Sequence, residues 1–173
     1  MKCSESGMTL IEIMITLVLI TISIGLAVPN YQAMIERNRA KTQVNDFLLA
    51  INLARSEALK IGSDVSIQAV DGSDDSNEFG PGWCVVAGDP GDCDGTVLRS
   101  FAALTDESLL DSSENATSIQ FDSLGSLSAG VVQKIDLCNS QISQRRVFIS
   151  LNGRAKIHRP TDPVEVKRPQ CDG

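Results

Sequence analysis

The chain has 173 residues, a formal charge of −7 and a pI of about 4.6, with a mean hydropathy near zero. That is room for one domain, and so acidic a total argues against a generic nucleic-acid binder. The averages hide a greasy N-terminus ahead of a polar remainder. They also hide 13 acids against one base from Gly62 to Ser123, and seven bases against two acids from Arg145 to Arg168.

The first element is an apolar run from Met8 to Val28, 21 residues with one charge, Glu12. As a helix it is about 31 Å long, close to the thickness of a bilayer's hydrocarbon core. A carboxylate in such a run costs roughly 2.5 kcal/mol or more at the bilayer centre, so it calls for a partner. Only MKCSESG precedes the run. A secretory signal peptide has a shorter core and an A-x-A-type cleavage site, which only Gly25-Leu26-Ala27 approaches. An ordinary anchor has no reason to begin Gly-Met-Thr-Leu-Ile-Glu.

After Pro29 the helical signal continues. Val44, Phe47, Leu48, Ile51, Ala54 and Ala58 recur at the spacing of one helix face, while Arg37, Arg39, Lys41, Asp46, Glu57 and Lys60 take the others. Gly62 is a natural C-cap. One long helix is expected from about residue 9 to 61, with a bend or local unwinding near Gly25–Pro29, because proline lacks an N–H and crowds the preceding turn.

From Asp64 the period changes. Residues 65–70 alternate and read as a strand, 71–77 as an acidic turn, 82–87 as a strand, 88–95 as a second acidic turn and 96–101 as a strand. Further strands are expected at 118–122, 134–138, 145–151 and 154–159, the last two joined by Asn152-Gly153, a two-residue hairpin signal. One long helix followed by short strands and turns gives an α+β class: a helix packed on an antiparallel sheet domain.

The Gly7 boundary, Met8, Thr9-Leu10-Ile11-Glu12, the apolar run and Pro29 together resemble the class III signal of type IV pilins and type II secretion pseudopilins. The resemblance extends along the chain to the GspH/FimT branch. It rests there on Leu53-Ala54-Arg55-Ser56-Glu57-Ala58, Gly82-Trp83, Leu98-Arg99, Ile119-Gln120-Phe121, Leu137-Cys138 and Ile149-Ser150-Leu151-Asn152-Gly153-Arg154. It implies four segments: a leader over 1–7, a membrane and assembly helix over 8–29, its amphipathic half over 30–61 and a periplasmic β-rich head over 62–173. It implies cleavage by prepilin peptidase between Gly7 and Met8, and methylation of the Met8 amine. Met8 stands where the family usually has Phe. Glu12 then neutralises the amine of a neighbouring subunit. The partners implied are other pilins or pseudopilins, the peptidase and the inner membrane, with a final place at the filament tip.

Cys3 falls in the leader, leaving Cys84, Cys93, Cys138 and Cys171. An even number outside the cytoplasm suggests two disulfides, with three connectivities open and Cys84–Cys93 with Cys138–Cys171 favoured. No C-x₂₋₄-C pair favours zinc. The acidic groups Asp71/Asp74/Asp75 and Asp89/Asp92/Asp94 offer oxygen ligands for Ca²⁺, without the loop pattern of a calcium hand, and no other cofactor is expected. The lone His158 supports no catalytic triad, so an enzyme is not expected.

Arg145, Arg146, Arg154, Lys156, Arg159, Lys167 and Arg168 form a basic C-terminal region. Arg154, Lys156 and His158 are expected on one face of a hairpin. In the FimT part of the family a Gly-Arg-x-Arg motif here is attributed to DNA capture. This chain has Gly153-Arg154-Ala155-Lys156, which keeps the charge and loses the second guanidinium fork. Two functions follow as expectations: a minor pilin or pseudopilin priming or capping a filament, and a pilus-tip DNA receptor.

Overall fold

A computed structural model describes residues 7–71, 77–88, 91–105, 108–112, 115–130, 132–138 and 145–158; at residues 26, 29, 30 and 33 it describes the backbone only. The helix α1 spans Leu10–Ile61, 52 residues or about 78 Å. Gly62 closes it in the left-handed region (φ 66°), its N–H donating to the Ala58 carbonyl. The expected unwinding near Gly25–Pro29 does not occur, and the helix runs through it. Proline at 29 has no N–H and so removes one hydrogen bond of the helix. One lost hydrogen bond does not break a helix favoured on both sides.

Eight strands follow: β1 Val65–Ala69, β2 Trp83–Ala87, β3 Thr96–Phe101, β4 Leu109–Ser112, β5 Ser118–Phe121, β6 Gln133–Cys138, β7 Arg145–Ile149 and β8 Ala155–His158. They form two antiparallel sheets, ordered β3-β2-β1-β5 and β4-β6-β7-β8. Sequence reasoning missed β4. Its two leucines sit among acids and serines, and its outer edge is met by residues 77–79 rather than by a strand. Asn77 Oδ1 accepts from the Leu110 amide (2.9 Å), Glu78 Oε2 accepts from the Ser112 amide (2.8 Å), and the Phe79 amide donates to the Leu110 carbonyl (3.2 Å).

The second half of α1 buries its predicted face. Val44, Phe47, Ile51, Ala54 and Ala58 are fully buried, and Leu48 is half-buried against them. Phe47 meets Phe79 edge-on at 5.2 Å and Trp83 edge-on at 5.3 Å, while Trp83 stacks on Phe101 at 5.3 Å. Such aromatic pairs add about 0.5–1.5 kcal/mol each beyond the area they bury. Ile67, Val85, Ile119, Ile135, Leu137, Val147 and Ile149 bring both sheets into the same core.

Residues 65–70 alternate in sequence, yet Ser66 and Gln68 are as buried as their apolar neighbours. The turn after β2 folds back over that face: Ser66 Oγ donates to the Gly88 carbonyl (2.6 Å) and Gln68 Nε2 to Ser66 Oγ (3.0 Å). The β7–β8 hairpin has a three-residue loop, residues 151–153, and not the two-residue one expected at Asn152-Gly153. The Gly153 amide donates to the Ser150 carbonyl (2.8 Å), and the Ser150 amide to that of Arg154 (3.0 Å). That is a type I turn with Gly153 left-handed (φ 71°). Arg55 fastens the helix to this end of the head, its Nε donating to the Gly125 carbonyl at 3.0 Å. A Cβ on Gly153 would collide with that same carbonyl.

Candidate assembly interface

The N-terminal site is built around a helix start. Thr9 is the N-cap, extended at φ −84° and ψ 151°, and its side chain accepts from the Glu12 amide at 3.4 Å. Thr9-Leu10-Ile11-Glu12 therefore has the spacing of a capping box, a signal that sequence reasoning passed over. Glu12 sits in the first turn, where the positive end of the helix dipole favours a carboxylate. It has no cationic partner among the described residues.

Behind Glu12 the side chains are apolar and exposed all round the helix. Leu10, Ile13, Leu17, Ile20 and Ile24 are 46–78% exposed. A helix apolar on every face needs a partner or a lipid environment. Its hydroxyls are satisfied internally: Thr16 donates to the Ile13 carbonyl, Thr21 to Val18 and Ser23 to Leu19, each at 2.8 Å. No helix among the described residues is long and apolar enough to cross a membrane. Described side chains run unbroken only from Leu10 to Gly25, whereas the helical backbone and the apolar sequence continue to Val28. Gly7 and Met8 precede the helix and are exposed.

The disulfide Cys84–Cys93 is present, joining β2 to the second acidic turn across nine positions. Cys138 is also disulfide-bonded. Its favoured partner Cys171 lies outside the described residues, as do Arg159, Lys167, Arg168, Asp74, Asp75 and Asp89. Asp71, Asp92 and Asp94 are exposed, and Asp92 Oδ1 accepts from the Asp94 amide (3.0 Å) in an ordinary turn. Among the described residues no group of three or more acids, cysteines or histidines could hold a metal ion.

The basic region is smaller than its residue count. Arg146 is not a free cation: Nε and Nη2 form a bidentate pair with Asp136 at 2.7 and 2.8 Å, and Asp136 is buried. The hydrogen bond to Asp136 raises the Arg146 pKa, against the desolvation that would lower it. Sequence reasoning missed Asp136 because only the β6–β7 register, which sets Asp136 opposite Arg146, shows the pairing. Arg145 is half-buried. Lys156 and His158 share a face of β8 as expected, opposite Phe148 and Arg146, while Arg154 belongs to the turn.

The comparisons agree with this arrangement. The family model for type II transport protein GspH matches residues 43–153, and the prokaryotic N-terminal methylation motif matches residues 2–28. No curated protein matches the chain. The type IV minor pilin FimU of Pseudomonas aeruginosa PAO1 has a similar fold in two crystal forms, each 21% identical in sequence. In one form the TM-score is 0.62, with 71% of this chain and 90% of FimU covered; in the other it is 0.56, with 70% and 91% covered. The N-terminal motif is that of membrane-anchored subunits, and the family is one of structural subunits. The chain belongs to the GspH family and is a pilin or pseudopilin subunit.

Proposed function

We propose that the chain is a minor subunit of a type II secretion pseudopilus or type IV pilus, acting by assembly and not by turnover. Prepilin peptidase removes residues 1–7 and the Met8 amine is methylated. Residues 8–29 then hold the subunit in the inner membrane, with the head in the periplasm. The subunit leaves sideways into a filament, near whose tip it primes or caps assembly. Helix packing supplies the association, and Glu12 sets register by meeting a neighbour's N-terminal amine. The observation that carries this reading is the wholly exposed apolar half of α1, headed by a carboxylate without an ion-pair partner among the described residues. The fold shared with a minor pilin supports the minor role.

Glu12→Val tests it. The variant is expected to insert in the membrane as wild type does and to be lost from sheared filaments. Incorporation at wild-type level would reject the proposed role of Glu12.

A further inference from the structure

The β4-β6-β7-β8 sheet carries a row of exposed side chains on its outward face. Register sets Lys134 of β6 opposite Phe148 of β7, and Phe148 opposite Lys156 of β8. Residues directly opposite one another share a face. Ile135, Val147 and Ile149, next to them in sequence, enter the core, so the row points away from it. All three side chains are exposed, Phe148 at 36%. Neither lysine has an ion-pair partner among the described residues. In the adjacent row Asp136 answers Arg146, so the charge left open on this face is that of the two lysines. They stand on strands about 10 Å apart with a phenyl ring between them. Two like charges flank an apolar ring that stays wet, so the row gains from a cover that is anionic and apolar at once.

The other sheet presents such a cover. Cys84 lies between Trp83 and Val85, whose side chains enter the core, so its sulfur is on the outward face of β2. The bond to Cys93 pins the β2–β3 turn there. Asp92 and Asp94 flank Cys93, both exposed and neither with an ion-pair partner among the described residues. Leu98 follows four positions on. The register of β2 with β3 slips at Val85/Val86, which face Arg99 and Val97, and Leu98 is the extra residue of that bulge, 40% exposed.

We propose that these two surfaces meet between neighbouring copies of the chain. Lys134 and Lys156 of one copy pair with Asp92 and Asp94 of the next, and Phe148 covers Leu98. The two surfaces belong to different sheets, so the contact is heterologous and leaves one surface free on each outer copy. Such a contact can continue along a filament, where a two-fold contact stops at a dimer. The charge of the whole chain is divided in the same way, with 13 acids against one base from Gly62 to Ser123 and seven bases against two acids from Arg145 to Arg168. This rests on the assembly reading above, for which it names one neighbour.

The test uses cells that make two copies of the full chain with different epitope tags. Their sheared filaments are treated with a water-soluble carbodiimide, which joins a carboxylate to an amine only where the two already touch. A product carrying both tags is expected, with peptides that link Lys134 or Lys156 to Asp92 or Asp94. Lys134→Glu with Lys156→Glu in both copies abolishes it, and so does Asp92→Lys with Asp94→Lys. One copy of each kind together restores it, because opposite charges face each other again, and that restoration shows that both variants fold. Lys41→Glu, on exposed helix away from both surfaces, leaves the product unchanged. Filaments that contain the chain but give no doubly tagged product overturn the proposal. So does a product that survives either charge reversal alone, or a mixed pair that fails to restore it. Absence of the chain from filaments contradicts the assembly reading and this contact with it, whereas presence without the product contradicts only the contact.

Discussion

The two halves of α1 share one backbone and meet opposite circumstances. From Leu10 to Gly25 the side chains are exposed and nearly all apolar, whereas between Ala40 and Ala58 one face is fully buried in the head. The second half finds its partners inside the chain: Phe47 has Phe79 and Trp83, and Arg55 has Gly125. The first half has hydroxyls turned back on its own carbonyls and a capped N-terminus, and its described apolar side chains are exposed. A helix can thus be complete as secondary structure while its packing is left for another molecule.

Damage to one half alone shows whether the two halves are independent. Phe47→Ala removes a fully buried ring from the centre of the aromatic cluster and is expected to destabilise the head by about 3–5 kcal/mol in denaturant titration. Membrane association of the variant should be unchanged. Loss of both would mean that the halves fold as one cooperative unit. A smaller effect comes from Asp136→Asn, which strips the counter-charge from half-buried Arg146 and should cost on the order of 2 kcal/mol. Arg146 has its pKa raised by that pair, so its contribution is complete at lower pH and is lost only as pH climbs through the guanidinium range. The deficit should therefore stay flat between about pH 6 and pH 9. The smallest change is Thr9→Ala, which removes the N-cap and should cost about 1 kcal/mol of local helix stability. Hydrogen exchange would show it as faster exchange confined to the first turn, with the head unaffected.

The same division explains what could be read from the sequence. The helix was legible almost to the residue, because a 3.6-residue period and a terminal glycine are local signals. Seven strands were legible as short alternating or β-branched segments between turns. What escaped depends on contacts distant in sequence. β4 is held by Asn77 and Glu78, more than 30 positions upstream. The polar face of β1 is covered by the turn after β2, and Arg146 is neutralised across a register that only the folded sheet defines. At the N-terminal site the glutamate was legible and its local role was not. Thr9 and Glu12 are spaced as a capping box, but the apolar run that follows directs attention to the membrane.

If the exposed half of α1 is the processed handle of an assembling subunit, the mature chain starts at Met8. Intact-mass and N-terminal peptide measurement of the protein purified from its own membrane tests this most directly. The expected result is a chain that begins at Met8 with a methylated amine and carries two disulfides. A chain that keeps residues 1–7, or one cut after Ala27, would contradict it.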